Sequence, residues 1–321
     1  RVIMERFGIA ISASGNFDLN RREFLKHSAV VSGGLVLTGL GSTNNLGCKQ
    51  SPSFKISLAE WSLHRSIQNG EIDHLDFCSL TNNKFGISAV EYVNSFFFDK
   101  AKDKIYLREM KMRADDLGIE SLLIMCDNEG SLGNPDPTSR TKAIENHYKW
   151  AEAAKLLGCH SIRVNASSEG TYTNQIELAA DGLRRLTEFG DSIGINTIVE
   201  NHGGLSSNGK WLSEVMKKVN HPRVGTLPDF GNFRLEGDEW YDRYKGVQEL
   251  MLYAKAVSAK SHEFDLNGNE IKTDYYKMMK IVLESGYNGY VGIEYEGSNH
   301  TEIEGIRLTL DLLKKVRDSI Y

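Results

Sequence analysis

The chain is poor in cysteine, carries no excess of basic charge, and has no apolar run long enough to span a bilayer. Its four cysteines, Cys48, Cys78, Cys126 and Cys159, include no C-x-x-C pair. A disulfide framework is therefore not expected in a chain of 321 residues. Cys126 and Cys159 fall in or beside apolar, strand-like runs and read as buried free thiols. With 38 Lys and Arg against 43 Asp and Glu, the net charge is −5. That balance shows no sign of the basic face a nucleic-acid binder presents, so nucleic acid is not expected as a partner. The apolar stretch Ser28–Gly41 is about 14 residues long, against the roughly 20 a membrane span needs. What is present is 40% hydrophobic and 25% charged residues, the make-up of a water-soluble globular chain.

The first fifty residues read as an address. The string Asn20-Arg21-Arg22-Glu23-Phe24-Leu25-Lys26 resembles the twin-arginine export motif, with Asn20 where Ser or Thr is usual. A basic start followed by a short apolar core is the pattern of a signal peptide. Leu46-Gly47-Cys48 resembles a lipobox whose aliphatic position is filled by Asn45, which makes Cys48 a candidate lipid anchor. Residues 1–50 are read as a twin-arginine signal peptide and linker. Export to the periplasm, free or as a membrane-anchored lipoprotein, is the expectation.

From residue 54 onward, short apolar runs alternate with longer amphipathic ones. The strand candidates are Ile56–Ser62, Ala89–Asn94, Ser121–Asp127, Ser161–Ala166, Thr197–His202, Val224–Phe230, Val257–Glu263 and Tyr290–Tyr295, with ends 28 to 39 residues apart. That interval is one strand–helix unit, and eight in a row predict a single-domain (β/α)8 TIM barrel over residues 51–321. Helical periodicity fills Thr141–Leu157, Leu178–Ile193, Asp274–Ser285 and Ile303–Ile320, and Gly158, Gly194 and Gly286 stand as stops after the first three. The rival, a doubly wound open sheet, usually carries a Gly-rich phosphate turn after its first strand, and none follows Ile56–Leu63.

In such barrels the chemistry sits at the carboxyl ends of the strands. Strands five to eight end on Glu200, Asp229, His262 and Glu294, separated by 29, 33 and 32 residues, one unit each. Three carboxylates and an imidazole suit one divalent ion, Mn, Mg, Co or Zn. Without a cation, three clustered carboxylates repel one another, which itself argues for the ion. Trp61 and His64 end strand one and Arg163 points from strand four. His202 and Asn201 follow Glu200. Lys260, two before His262, shares its face of the strand, and Glu296, two beyond Glu294, shares its face. Trp61, His64, Arg163, His202, Asn232, Lys260 and Glu296 are the candidate substrate contacts, with Glu60 as a further polar one. Lys260 and Arg163 also suit pairing with core carboxylates. Two loops are candidate lids, Asp127–Thr138 and Phe233–Tyr244. The aromatics of the second, Trp240, Tyr241 and Tyr244, suit either a sugar or a homodimer contact.

The register of Glu200, Asp229, His262 and Glu294, with the strings Val199–Gly204, Leu227–Asn232 and Ile293–Gly297, resembles the xylose isomerase-like barrel superfamily of sugar phosphate isomerase/epimerase type. The resemblance covers about residues 54–321 and implies that these four residues are the metal set. Members include ketose 3-epimerases, inosose dehydratases and endonuclease IV. Endonuclease IV uses three zinc ions and many histidines, whereas only His64, His202 and His262 lie at strand ends here. Ketose epimerases carry a substrate-binding histidine three residues after the strand-six aspartate, where this chain has Asn232. They also carry an arginine soon after the strand-seven histidine, and Glu263–Asn269 contains none.

The activity so implied is metal-dependent isomerisation or epimerisation of a non-phosphorylated ketose or keto-sugar through an enediolate. Glu200 and Glu294 would be the catalytic acid/base pair. The alternatives are an exported keto-glycoside lyase or hydratase working by β-elimination, and a non-catalytic sugar-binding lipoprotein.

Overall fold

The computed structural model describes residues 54–319. The leader motif and Cys48 lie outside the described residues. Eight parallel strands run β1 Lys55–Ala59, β2 Ala89–Val93, β3 Glu120–Met125, β4 Ser161–Val164, β5 Asn196–Glu200, β6 Val224–Leu227, β7 Val257–Ser261 and β8 Tyr290–Tyr295. Consecutive strands are neighbours, and β1 pairs with both β2 and β8. Between β6 and β7 the ladder thins to isolated parallel bridges, Thr226 with Ala254 and Asp229 with Ser258. Helices stand between the strands, as a (β/α)8 barrel requires. No helix among the described residues is long and apolar enough to cross a membrane.

Local chemistry sets the helix ends. Asp136 accepts from the Ser139 N–H and Pro137 occupies the first turn, so the helix expected from Thr141 begins at Pro137 and ends at Leu157. Thr171 caps Tyr172–Ile193 in the same way, extending the expected helix upstream. Gly158 and Gly194, at φ 86° and 84°, close these two helices in the left-handed region.

Two apolar layers result. One lies between strands and helices and holds Trp150, Trp211, Phe230 and Tyr295. The other, smaller, includes Ala59, Leu123, Met125, Ile198 and Leu227. Cys78, Cys126 and Cys159 are buried and free, as expected. Burial pushes the Cys78 thiol up to about 11, which suppresses thiolate chemistry.

Most strands end earlier than their apolar runs suggest. β1 stops at Ala59 and passes into a 3₁₀ turn, Glu60–Leu63, which carries Trp61. β6 stops at Leu227 because Pro228 has no N–H to offer a ladder. The functional positions therefore straddle the rim. Glu200 is the last residue of β5, Asp229 lies two beyond β6, His262 one beyond β7, and Glu294 is inside β8.

Candidate active site

Glu200, Asp229 and Glu294 each bring a carboxylate oxygen to within 4.8 Å of the others. All three are almost fully buried, at 1%, 0% and 4% exposure. Glu294 lines a cavity of about 690 Å³ at the carboxyl ends of the strands, together with Trp61, Asp127, Arg163, Lys260 and Glu296. Burial, reinforced by mutual repulsion, pushes both Glu200 and Asp229 up to about 7.

Few of the carboxylate oxygens are without partners. Asp229 Oδ1 accepts from the Gly231 and Asn232 N–H groups, both at 2.8 Å. Ser258 Oγ bridges Asp229 Oδ2 at 2.7 Å and Glu294 Oε2 at 3.1 Å. Asn232 Nδ2 donates to Glu200 Oε1 at 2.8 Å. Glu200 Oε2 has no aligned hydrogen bond, although Arg163 Nε lies 2.9 Å away. Asn201 ties the ends of β5 and β6 together: its Nδ2 donates to the carbonyls of Asp229 and Asn232, and its Oδ1 accepts from the Asp229 N–H.

Two cations are built into the rim. Arg163 donates to Asp127 at 2.8 Å and faces Glu200. Burial opposes ionisation of Asp127, but the guanidinium outweighs it and holds the carboxyl down to about 2. Lys260 Nζ lies 3.0 Å from Glu294 Oε1 and 2.9 Å from Glu296 Oε2. Glu296 is likewise held down to about 2: burial is overcome by Lys260 and by the Trp61 indole N–H, which donates to it at 2.9 Å.

The three carboxylates fit one divalent ion: they converge, they are buried, and Glu200 keeps an oxygen without a hydrogen bond. Expected in the same ligand set, His262 stays outside the group that lies within 4.8 Å of one another. The reason is register. Lys260, not His262, pairs with Glu294 across β7 and β8, so the lysine stands level with the carboxylates. His262 lies past the end of the ladder, where it borders a second cavity of about 330 Å³ with His202, Asn232 and Trp240.

The candidate substrate contacts separate into two groups. Trp61, Arg163, His202, Asn232, Lys260 and Glu296 all line the main cavity. His64 does not; it stacks on Trp61 with ring centroids 4.7 Å apart and supports the indole from behind. Glu60 is corrected as a substrate contact: it is fully buried, bonding the His74 ring at 2.5 Å and accepting from the Val93 N–H. Ser258 and Asp127 are site residues that the chain pattern does not single out. Ser258 lies two before Lys260, so the alternation of a strand was the available signal for it. Beneath the rim, Glu91 accepts from Ser57 Oγ at 2.6 Å, and a Cβ on Gly292 would come within 2.4 Å of its carboxylate. Burial pushes Glu91 up to about 7.

The raised Asp229 carboxyl makes a pH prediction. The folded state holds this proton more tightly than the unfolded chain. The associated stability is therefore full below the ordinary value of 3.8 and is lost as pH rises through about 7. Asp229→Asn removes that loss. In chelator, the melting temperature of the variant relative to the parent is expected to climb between pH about 4 and about 7. A flat difference across that window would contradict a carboxyl whose proton is held by burial.

The profile of the xylose isomerase-like TIM barrel family matches residues 83–316. The chain belongs to that family. No curated protein sequence matches. Among solved structures, the chain is similar to D-psicose 3-epimerase from Clostridium cellulolyticum H10, solved with D-tagatose, at 15% identity over 83% of this chain and 99% of that one, TM-score 0.61. It is similar to 3-keto-D-glucoside 4-epimerase from E. coli at 15% identity, covering 82% and 99%, TM-score 0.60. The IolI protein with a bound zinc atom gives 14% identity, 84% and 99% coverage, and TM-score 0.65. At these identities the likeness is one of fold.

Proposed function

We propose that the chain is a sugar isomerase or epimerase that takes a proton from carbon and returns one, acting on a non-phosphorylated ketose or keto-sugar. The observation that carries this reading is the convergence of Glu200, Asp229 and Glu294 on one another beside a polar cavity at the carboxyl rim of the barrel, which Glu294 lines. Family membership and the solved sugar epimerases of the same fold support it.

Glu200 and Glu294 are the acid/base pair in this reading. Burial pushes the Glu200 carboxyl upward in the ion-free chain, and a positioned carboxylate can both take and give a proton. One carboxylate removes the proton beside the sugar carbonyl and the other returns one. Return to the same carbon inverts it; return to its neighbour isomerises the sugar. Trp61 offers a ring face for stacking on the pyranose or open chain. Lys260 and Arg163 remain protonated throughout, so they stabilise negative charge developing at the rim without acting as bases. Asp229, tied by backbone N–H groups and Ser258, fixes the rim. A divalent ion would be held by Glu200, Asp229 and Glu294, and when bound it supplies Lewis acidity toward vicinal carbonyl and hydroxyl oxygens.

A second reading, β-elimination from a keto-glycoside, uses the same proton abstraction. Asn232, which here bonds Glu200 and Lys260, stands where ketose epimerases carry a substrate histidine, so the sugar pocket differs from theirs and leaves room for this reading. A twin-arginine leader, the reading proposed for Asn20–Lys26, also suits it, since export would bring the enzyme to unphosphorylated glycosides.

Incubation with free ketoses and 3-keto-glycosides in deuterated water tests both. Solvent deuterium beside the carbonyl of recovered or epimerised sugar is the expected result, while release of an aglycone selects elimination. If no substrate exchanges and none is cleaved, the reading is wrong.

A further inference from the structure

The side chain of Lys260 is 3% exposed, and its ammonium has three donors and three acceptors. They are Glu294 Oε1 at 3.0 Å, Glu296 Oε2 at 2.9 Å and Asn232 Oδ1 at 3.4 Å. Gly231 makes room for the stem: a Cβ there would lie 3.1 Å from Lys260 Cγ and Cδ. Burying three carboxylates together is costly without positive charge. Lys260 on Glu294 and Arg163 on Glu200 supply that charge from within the chain. An ion taking an oxygen of Glu294 would meet the Lys260 ammonium on the same carboxylate. Glu296, fixed by Trp61, gives that ammonium a second seat.

We propose that Lys260 is a built-in counter-cation that competes with a divalent ion for Glu294: it holds the carboxylate group assembled while no ion is present and retires to Glu296 when one binds. This deepens the proposed function, resting on its assignment of Glu200, Asp229 and Glu294 as ion ligands.

The test uses metal alone, so it reads independently of any sugar turnover. Metal-stripped parent, Lys260→Met, Lys260→Gln and Lys260→Arg are titrated with Mn²⁺, and separately with Zn²⁺, by calorimetry at pH 7. Lys260→Met and Lys260→Gln are expected to bind at least about tenfold more tightly than the parent, since a like charge has been removed from the site. Lys260→Arg should stay near the parent. Melting temperatures form a second arm, in which the parent alone already gives a reading. The parent should hold its melting temperature within a few degrees on chelation, whereas any folded neutral variant should fall in chelator and recover with Mn²⁺. Equal or weaker binding by the neutral variants, binding of neither ion by any protein, or a parent that melts far lower after stripping would each overturn the proposal. Absence of deuterium exchange with unchanged metal results would instead count against the sugar reading alone.

Discussion

Glu294→Gln is expected to lower turnover by about 10²–10⁴-fold, the contribution a positioned general acid/base makes. The amide is nearly isosteric: its oxygen can still accept from Lys260, and its NH2 can donate to Ser258 Oγ, the two groups that bond the native side chain. Folding should therefore change little while proton transfer is lost. Solvent exchange adds a finer readout. If Glu200 and Glu294 serve opposite directions, Glu294→Gln leaves deuterium wash-in from one epimer and abolishes it from the other. Glu200→Gln should do the reverse. Turnover within a factor of a few of the parent would mean that the pair is wrongly assigned and that another group moves the proton.

Arg163→Met should show the largest stability loss of any single change at the rim. The guanidinium is 4% exposed and stands between Asp127, at 2.8 Å, and Glu200, at 2.9 Å. Methionine fills most of the volume but leaves two carboxylates without their cation, held only by Asn165 and Asn232. Removing one member of a buried ion pair typically costs about 3–5 kcal/mol. Urea denaturation of parent and variant measures it, and adding Asp127→Asn to the variant should recover part of the loss, because one of the stranded charges is gone. A loss below about 1 kcal/mol would place Arg163 among ordinary surface pairs and remove it as a structural counter-charge.

Much of the site was legible in the chain because it follows a one-dimensional rule. In a parallel barrel each strand–helix unit returns the chain to the same rim, so Glu200, Asp229 and Glu294 recur about one unit apart and meet in space. Lys260 and Glu296 could be placed by alternation alone, two residues from a neighbour on the same face. Asn201 and Ser258 were harder to place. Each acts through a hydrogen bond to another strand, Asn201 to Asp229 and Ser258 to both Asp229 and Glu294. Beyond the alternation that puts Ser258 on the face of Lys260, such cross-strand bonds leave no mark in the chain. Glu60 misled because its position at the end of β1 looks like a rim position, yet the 3₁₀ turn swings it into the apolar layer toward His74.

The order of eight strand–helix units, the helix stops at Gly158 and Gly194, and the identity of the rim carboxylates are properties of the sequence, since periodicity and backbone propensity act over a few residues. Which strand-seven side chain stands level with those carboxylates is decided by the register of β7 against β8. That register seats Lys260 opposite Glu294 and leaves His262 one pleat beyond, at the end of the ladder. Register is set by packing across the whole barrel, so only the tertiary structure puts a lysine beside the three carboxylates.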